Sequence, residues 1–301
     1  MRRRVAFVAA SLAMWVAGST LGTTPIQQAA ALPFMTIGAA HSAQLLPALD
    51  GKKPVFILAL GTDTRKHNDI GCGCADSIHL IGIDPRKRNA TVLGFPRDSW
   101  VDIPGHGMNK INTALHYGGP KLMVDTIEAI TGIHIDFYVL TTFGGLTDMV
   151  NSVGGVTVDV PYPMHDHYSG ADFEPGPIHM DGQQALAFAR DRHDVPNGDL
   201  SRSADQGILF LSALAEFRGD FDKSPSSLLT WMGAGLRNIE TDLPFEEMLK
   251  LAFTAAEVTP AKVKNLVVPA TLGTVGAASV VFISSSAQAI YTNMRDDGLV
   301  N

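Results

Sequence analysis

The run Val55-Phe-Ile-Leu-Ala-Leu60, closed by Gly61, constrains this chain more than any other stretch. Six consecutive apolar residues bounded by a glycine read as a strand buried on both faces. Such a strand needs cover on either side, so the chain must supply helices for two faces of one sheet. The remaining pattern provides them. Residues 77–84 and 90–95 read as two further strands, and the turn Asp84-Pro-Arg-Lys-Arg-Asn89 makes them a hairpin. Residues 135–140, 156–160, 263–268 and 277–283 add strand candidates. Apolar spacing predicts helices over 121–130, with Gly132 as its stop, and over the segment carrying Leu146, Met149 and Val150, with Thr142 as its cap. Further helices are predicted at 183–190, 200–217, 228–236, 245–258 and 291–297. Residues 161–177, rich in His, Pro and Gly, read as a loop. Strands and helices alternate while hairpins persist, which predicts an α/β fold with a central mixed β-sheet flanked by helices on both faces.

The 301 residues are 46% hydrophobic and 18% charged, enough for a large core. A net charge of −7 argues against a nucleic-acid partner, whose binding proteins usually present a basic surface. No helix-turn-helix is visible. Arg2, Arg3 and Arg4 precede an apolar run from Val5 to about Gly22, the pattern of a signal peptide or signal anchor over 1–24. Residues 25–53 then read as a flexible linker, and 54–301 as an extracytoplasmic domain, either membrane-anchored or secreted to the cell wall. The two cysteines, Cys72 and Cys74, form a C-x-C pair that fits free thiols or a strained disulfide better than a metal site.

Polar clusters follow the apolar strands. Gly61-Thr-Asp-Thr-Arg65 comes directly after the first, Asp76 opens the second, and Pro96-Arg97-Asp98 ends the third. Strand ends commonly build sites at the rim of a sheet. Asp63 and Asp76, at neighbouring strand ends, are candidates to hold Mg²⁺, with Mn²⁺ as a substitute. Lys110 and Asn112 are expected to open a short helix ending near Gly118-Gly119. Later, Arg190, Arg192 and Arg202 surround a polar turn beside Asp199 and Gln206. If residue 200 onward is helical, Asp199, Arg202 and Gln206 share one face, while Ile208, Leu209, Leu211 and Leu214 anchor the helix. Arginines on a rigid element suit a phosphate or pyrophosphate. The plainer alternative is a surface helix with salt bridges and Asp199 as its N-cap.

The order and spacing of LGTDTR at 60–65, ADSI at 75–78, FPRDSWVDIPG at 95–105, KIN at 110–112, YGG at 117–119, GGVTVDVP at 154–161 and GQQALAFARDRH at 182–193, with GDLSR and Gln206, resemble the LytR-CpsA-Psr family of bacterial cell-wall ligases. The resemblance covers residues 55–217. It implies a phosphotransferase that moves a glycopolymer phosphate from a polyprenyl-pyrophosphate carrier to peptidoglycan, with a hydrophobic channel for the lipid and the membrane as its surroundings. By motif position it implies Asp63 and Asp76 as metal-associated aspartates. Arg97, Arg190, Arg192 and Arg202 would bind pyrophosphate, with Asp199 as a polar partner. Arg65, Lys110, Asn112 and Gln206 would contact substrate. Asp76 is also a candidate to assist deprotonation of the acceptor. Two positions depart from the family pattern: Cys74 and Asp205 stand where arginine is frequent, which predicts a less positive pyrophosphate wall. The same residues would also serve a polyprenyl-pyrophosphate pyrophosphatase, or a non-catalytic lipid-binding or transcription-attenuator type of protein.

Overall fold

The computed structural model describes residues 53–63 and 73–301, with strand pairing also at Thr36–Ile37. The basic N-terminal run, Arg65 and Cys72 lie outside the described residues. In chain order the strands are β1 (Thr36–Ile37), β2 (Val55–Thr62), β3 (Ala75–Asp84), β4 (Asn89–Gly94), β5 (Trp100–Ile103), β6 (Gly107–Lys110), β7 (Phe137–Thr142), β8 (Val156–Val160), β9 (Gly176–Met180), β10 (Ile239–Thr241), β11 (Lys264–Val267), β12 (Ala270–Val275) and β13 (Ala278–Ile283). The helices are α1 (Thr113–Thr131), α2 (Phe143–Ser152), α3 (Gly182–Arg190), α4 (Asp199–Lys223), α5 (Ser227–Asn238), α6 (Phe245–Glu257) and α7 (Ala287–Asp297).

Seven strands form one sheet in the order β1-β10-β7-β2-β3-β4-β11. The expected mixed sheet is present: β2 pairs antiparallel with β3 and parallel with β7. The strand Val55–Thr62 sits near the middle and is buried on both faces, as its unbroken apolar run requires. Phe56, Leu58 and Leu60 pack with α1 and α7, through Val124, Ile127, Tyr291 and Met294. Val55 and Ile57 point the other way, into a cluster that Leu211 and Leu214 of α4 and Met248 and Leu251 of α6 complete. A third cluster joins the β8–β9 hairpin to α2, α3 and Leu209 of α4.

Several local expectations are corrected. Lys110 ends β6, and the helix starts at Thr113, because residues 100–110 close as a hairpin around Gly105 and Gly107, both at positive φ. The helix is interrupted as the sequence indicates, with non-helical backbone at Gly118 and Gly119 before Pro120. The 161–177 stretch is not wholly irregular: Met164 bridges Phe173, and β9 begins at Gly176 to pair with β8. Asp199 is not an N-cap. Gly198 holds that position, and the Asp199 side chain bonds Arg202 instead of a backbone amide. The β12 and β10 strands carry little periodicity and escape sequence reading; β12 pairs with the expected strand near the C-terminus, β13.

Asp205 is 1% exposed and accepts a hydrogen bond of 2.6 Å from the Tyr162 hydroxyl, tying α4 to the exit of β8. Burial pushes its carboxyl up to about 6, with the Tyr162 bond opposing. The folded state therefore holds a proton on Asp205 that the unfolded chain releases nearer 4. Its contribution to stability is complete below the unfolded value and is lost as pH rises toward 6. Urea denaturation at stepped pH is expected to show this decline between about pH 4 and 6 in the parent and a flatter profile in Asp205→Asn. Packing on the other face is equally tight. A Cβ on Gly82 would meet the Gly298 carbonyl and lie 2.7 Å from its Cα. Gly82→Ala is expected to cost about 1–3 kcal/mol in denaturant unfolding, since the α7 terminus must shift. An unchanged midpoint would refute that packing.

Candidate functional site

The second face of the sheet does not close fully over β2 and β7. Ala59 and Val139 floor a cavity of about 810 Å³. Phe143, Leu146, Met149 and Val150 of α2, Leu209, Phe210 and Ala213 of α4, and Trp231 and Ala234 of α5 wall it with apolar side chains. Polar groups meet in the same cavity: Asp76, Arg97, Arg190, Arg192, Arg202 and Gln206 all line it. An apolar chamber with a convergent cationic group is the form of a site for an amphiphile with an anionic head.

Each cation is placed by a different part of the fold. Arg97 follows β4 and bonds Asp76 at the start of β3. Its turn is pinned from two sides. Asn112 N–H donates to the Arg97 carbonyl at 3.2 Å, and Val281 N–H of β13 donates to the Asp98 carbonyl at 2.9 Å. Burial opposes the Arg97 charge, but Asp76 outweighs it and raises the guanidinium above its ordinary value. Arg202, on the first turn of α4, bonds Asp199. Burial lowers its pKa, Asp199 opposes that, and Arg97 and Arg192 add repulsion. Arg190 ends α3 and lies 5.1 Å over the Phe143 ring. Among the described residues neither Arg190 nor Arg192 has a carboxylate partner. Gln206 Nε2 donates to the Asp76 carbonyl at 3.3 Å and the Ala189 carbonyl at 3.0 Å, tying α4 to β3 and α3.

The remaining sequence candidates lie around this group. Asp63 follows β2, and its carboxyl is raised by desolvation and then by Asp76, which places the two acids within electrostatic reach. Lys110 does not line the cavity; its Nζ is 3.1 Å from Asp98. Asn112 is buried behind Arg97 and accepts from Ala75 N–H through its carbonyl. Its role is to hold the Arg97 turn against β3. Arg65 lies outside the described residues. Position 205 supplies no cation to the cavity, and its carboxylate adds no negative charge to the wall either, because it faces Tyr162 instead. Cys74 carries a free, part-buried thiol whose pKa is raised by burial and then by Asp63.

Sequence reading assigned no role to Asp98, Asp166, Tyr168 or His193. Asp98 lies within a motif already singled out, beside Arg97. The other three come from the His-rich stretch and the arginine turn, and only the closing of that loop over α3 brings them to the cavity. Among the described residues no cluster of three or more metal-ligating side chains forms, and no helix is long and apolar enough to cross a membrane.

Comparison with known proteins agrees with this architecture. Polyisoprenyl-teichoic acid–peptidoglycan teichoic acid transferase TagU of Enterococcus faecalis is 34% identical over 214 residues, covering 68% of this chain. The match spans 66% of that protein, just under two thirds of its length. The crystal structure of Bacillus subtilis TagV superposes with a TM-score of 0.68 at 27% identity, covering 81% of this chain and 96% of TagV. YwtF (TagT) of the same organism, solved with bound octaprenyl pyrophosphate lipid, shares the fold with a TM-score of 0.64 at 20% identity, covering 87% of this chain and 97% of that one. The LytR_cpsA_psr family matches residues 27–296. The chain belongs to the LytR_cpsA_psr family.

Proposed function

We propose that this chain transfers a glycopolymer phosphate from a polyprenyl-pyrophosphate carrier to peptidoglycan, releasing polyprenyl phosphate. The observation that carries this reading is the meeting of Arg97, Arg190, Arg192 and Arg202 in a single, otherwise apolar cavity. The apolar walls suit a polyprenyl tail, and the guanidinium forks suit a diphosphate. A relative named as a teichoic acid transferase and a protein of the same fold holding octaprenyl pyrophosphate support it. The reading places the site outside the cytoplasm, at the membrane surface where such a lipid resides.

The acceptor hydroxyl attacks the phosphorus that bears the glycan. A P–O bond to the acceptor forms, and the P–O bond to polyprenyl phosphate breaks, with the electron pair leaving on that phosphate. Negative charge therefore grows on the leaving group. Arg190 and Arg192, which have no carboxylate partners among the described residues, are available to meet it with paired N–H donors. Arg97 and Arg202 are already fixed by Asp76 and Asp199, so their forks need little reorganisation when charge develops. Positioning and electrostatics dominate phosphoryl transfer, and this arrangement supplies both.

Asp63 and Asp76 would hold a Mg²⁺ ion, or Mn²⁺ in its place. The fit rests on their donor chemistry: two carboxylates close enough for Asp76 to raise Asp63. Mg²⁺ accepts one or two carboxylates and completes its shell with phosphate oxygens and water. When bound it would neutralise diphosphate charge.

Incubation with a polyprenyl-pyrophosphate-linked sugar, with and without peptidoglycan fragments, tests the assignment. Polyprenyl phosphate should appear only with the acceptor, whereas equal release without it would indicate a pyrophosphatase. Arg97→Ala is expected to lower transfer about a hundredfold or more with unchanged circular dichroism; full activity in this variant would sink the assignment. Chelation of divalent cations should stop transfer and Mg²⁺ restore it, with Asp63→Asn requiring more Mg²⁺ for half-maximal rate.

A further inference from the structure

The structure assigns a second polar device to this cavity: we propose that His193, oriented by Asp166, is the general base that takes the proton from the attacking hydroxyl. The inference rests on the transferase reading above and names a residue for its proton transfer.

The carboxylates nearest the arginines are poorly placed for that task. Asp76 bonds Arg97, and Asp199 bonds Arg202. A carboxylate held by a guanidinium is a weak base, because the cation stabilises its ionised form. Asp63 is the other member of the proposed metal pair, where its lone pairs would be engaged.

His193 is in a different situation. Asp166, 3% exposed, accepts a hydrogen bond from His193 Nδ1 at 3.0 Å and one from Tyr168 N–H at 2.9 Å, using both oxygens. Burial opposes its ionisation, but the bonds from His193 and Tyr168 hold its carboxyl down at about 2. It is thus an acceptor throughout the working range. That places the neutral imidazole proton on Nδ1 and leaves the lone pair on Nε2. Nε2 has no partner among the described residues, and the side chain is 43% exposed. Both His193 and Asp166 line the cavity that holds the four arginines. The Tyr168 ring packs against the imidazole at 4.7 Å and limits its rotation. A buried carboxylate, an imidazole fixed in one tautomer and an open Nε2 are the parts of a base–orienter pair.

In the proposed step the acceptor O–H bond breaks as its oxygen bonds to phosphorus. The proton passes to His193 Nε2, the electron pair of the cleaved P–O bond leaves with polyprenyl phosphate, and the imidazolium later releases its proton to water. The imidazole touches Asp166 and Tyr168 of the loop; Arg190 and Arg192 from the end of α3 and Arg202 from α4 line the same cavity, and Asp191 and Asp194 lie on its own turn. Asp191 is the competing titrating group: burial, then Asp194, push it up to about 7.

The test is the pH profile of kcat/KM for transfer from a polyprenyl-pyrophosphate-linked N-acetylglucosamine to peptidoglycan fragments, in the full chain. A general base makes the rate fall on the acid side of the profile. His193→Gln should lower kcat about a hundredfold at neutral pH and abolish that acid limb. Its affinity for octaprenyl pyrophosphate, read from Trp231 fluorescence, should stay unchanged. Asp166→Asn should lower kcat and move the limb, and Asp191→Asn should leave the limb in place. A His193→Gln variant with the parental rate and limb overturns the inference while leaving the transferase reading intact. So does a limb that follows Asp191, or a rate loss matched by lost lipid affinity. A parent protein that releases no polyprenyl phosphate in the presence of acceptor overturns the transferase reading itself.

Discussion

Four guanidinium groups cannot share an apolar cavity without counter-charge, and the organisation of this protein around its site follows from that constraint. Arg202 is buried and bonded to Asp199 one turn earlier in α4, and Arg97 is bonded to Asp76 at the start of β3. Removing Asp199 would leave the Arg202 guanidinium, 7% exposed, without its counter-charge, which is costlier than removing both members. The Arg97–Asp76 pair holds β3 against the turn after β4, and Gln206 of α4 reaches the same β3 start. Gln206 adds α3 by donating to carbonyls of Asp76 and Ala189. Arg190 and Arg192, left without carboxylate partners among the described residues, keep the cavity attractive to an anion.

The rest of the fold serves to deliver these segments to one place. The β2 strand, covered on both faces, brings Asp63 to the edge where Asp76 and Arg97 arrive from β3 and β4. Two of the three outlying hairpins contribute as well. The β5–β6 hairpin positions Asn112 and Lys110 behind Arg97, and β13 anchors the Asp98 carbonyl. Helices α2, α4 and α5 stand off the sheet far enough to leave an apolar chamber beside the charges. Charge at one end and hydrocarbon at the other is the complement of an amphiphile with an anionic head.

Much of this was legible beforehand, for physical reasons that differ from element to element. The buried strand 55–60 and the hairpin after it declare themselves because continuous apolar runs and Pro/Asn turns admit few alternatives. Helix α4 is equally clear, since Leu209, Leu211 and Leu214 recur at a spacing that meets the core clusters on its inner side. The hairpin at 100–110 was not legible. Its strands are four residues long and its outer strand carries mostly polar or glycine positions, so no periodicity distinguishes it from the helix start that Lys110 and Asn112 imitate. The same weakness hid β10, a three-residue strand with an acid in the middle.

The sequence by itself determined the sheet's buried core, the helices on its two faces and the set of arginines and aspartates gathered at strand and helix ends, because local patterning encodes which face of each element meets water. Only the tertiary structure decided how those charges pair. Asp205 shows the difference. By position in the motif it withholds an arginine from the cationic wall, but only the fold shows that its carboxylate faces Tyr162 and adds no negative charge to the cavity. The Asp166–His193 pair shows the converse: its two members are separated by twenty-six intervening residues and no spacing links them, and only the loop closing over α3 brings them within 3.0 Å. Side-chain direction is set by packing between distant segments, and that information is not local to any stretch of the chain.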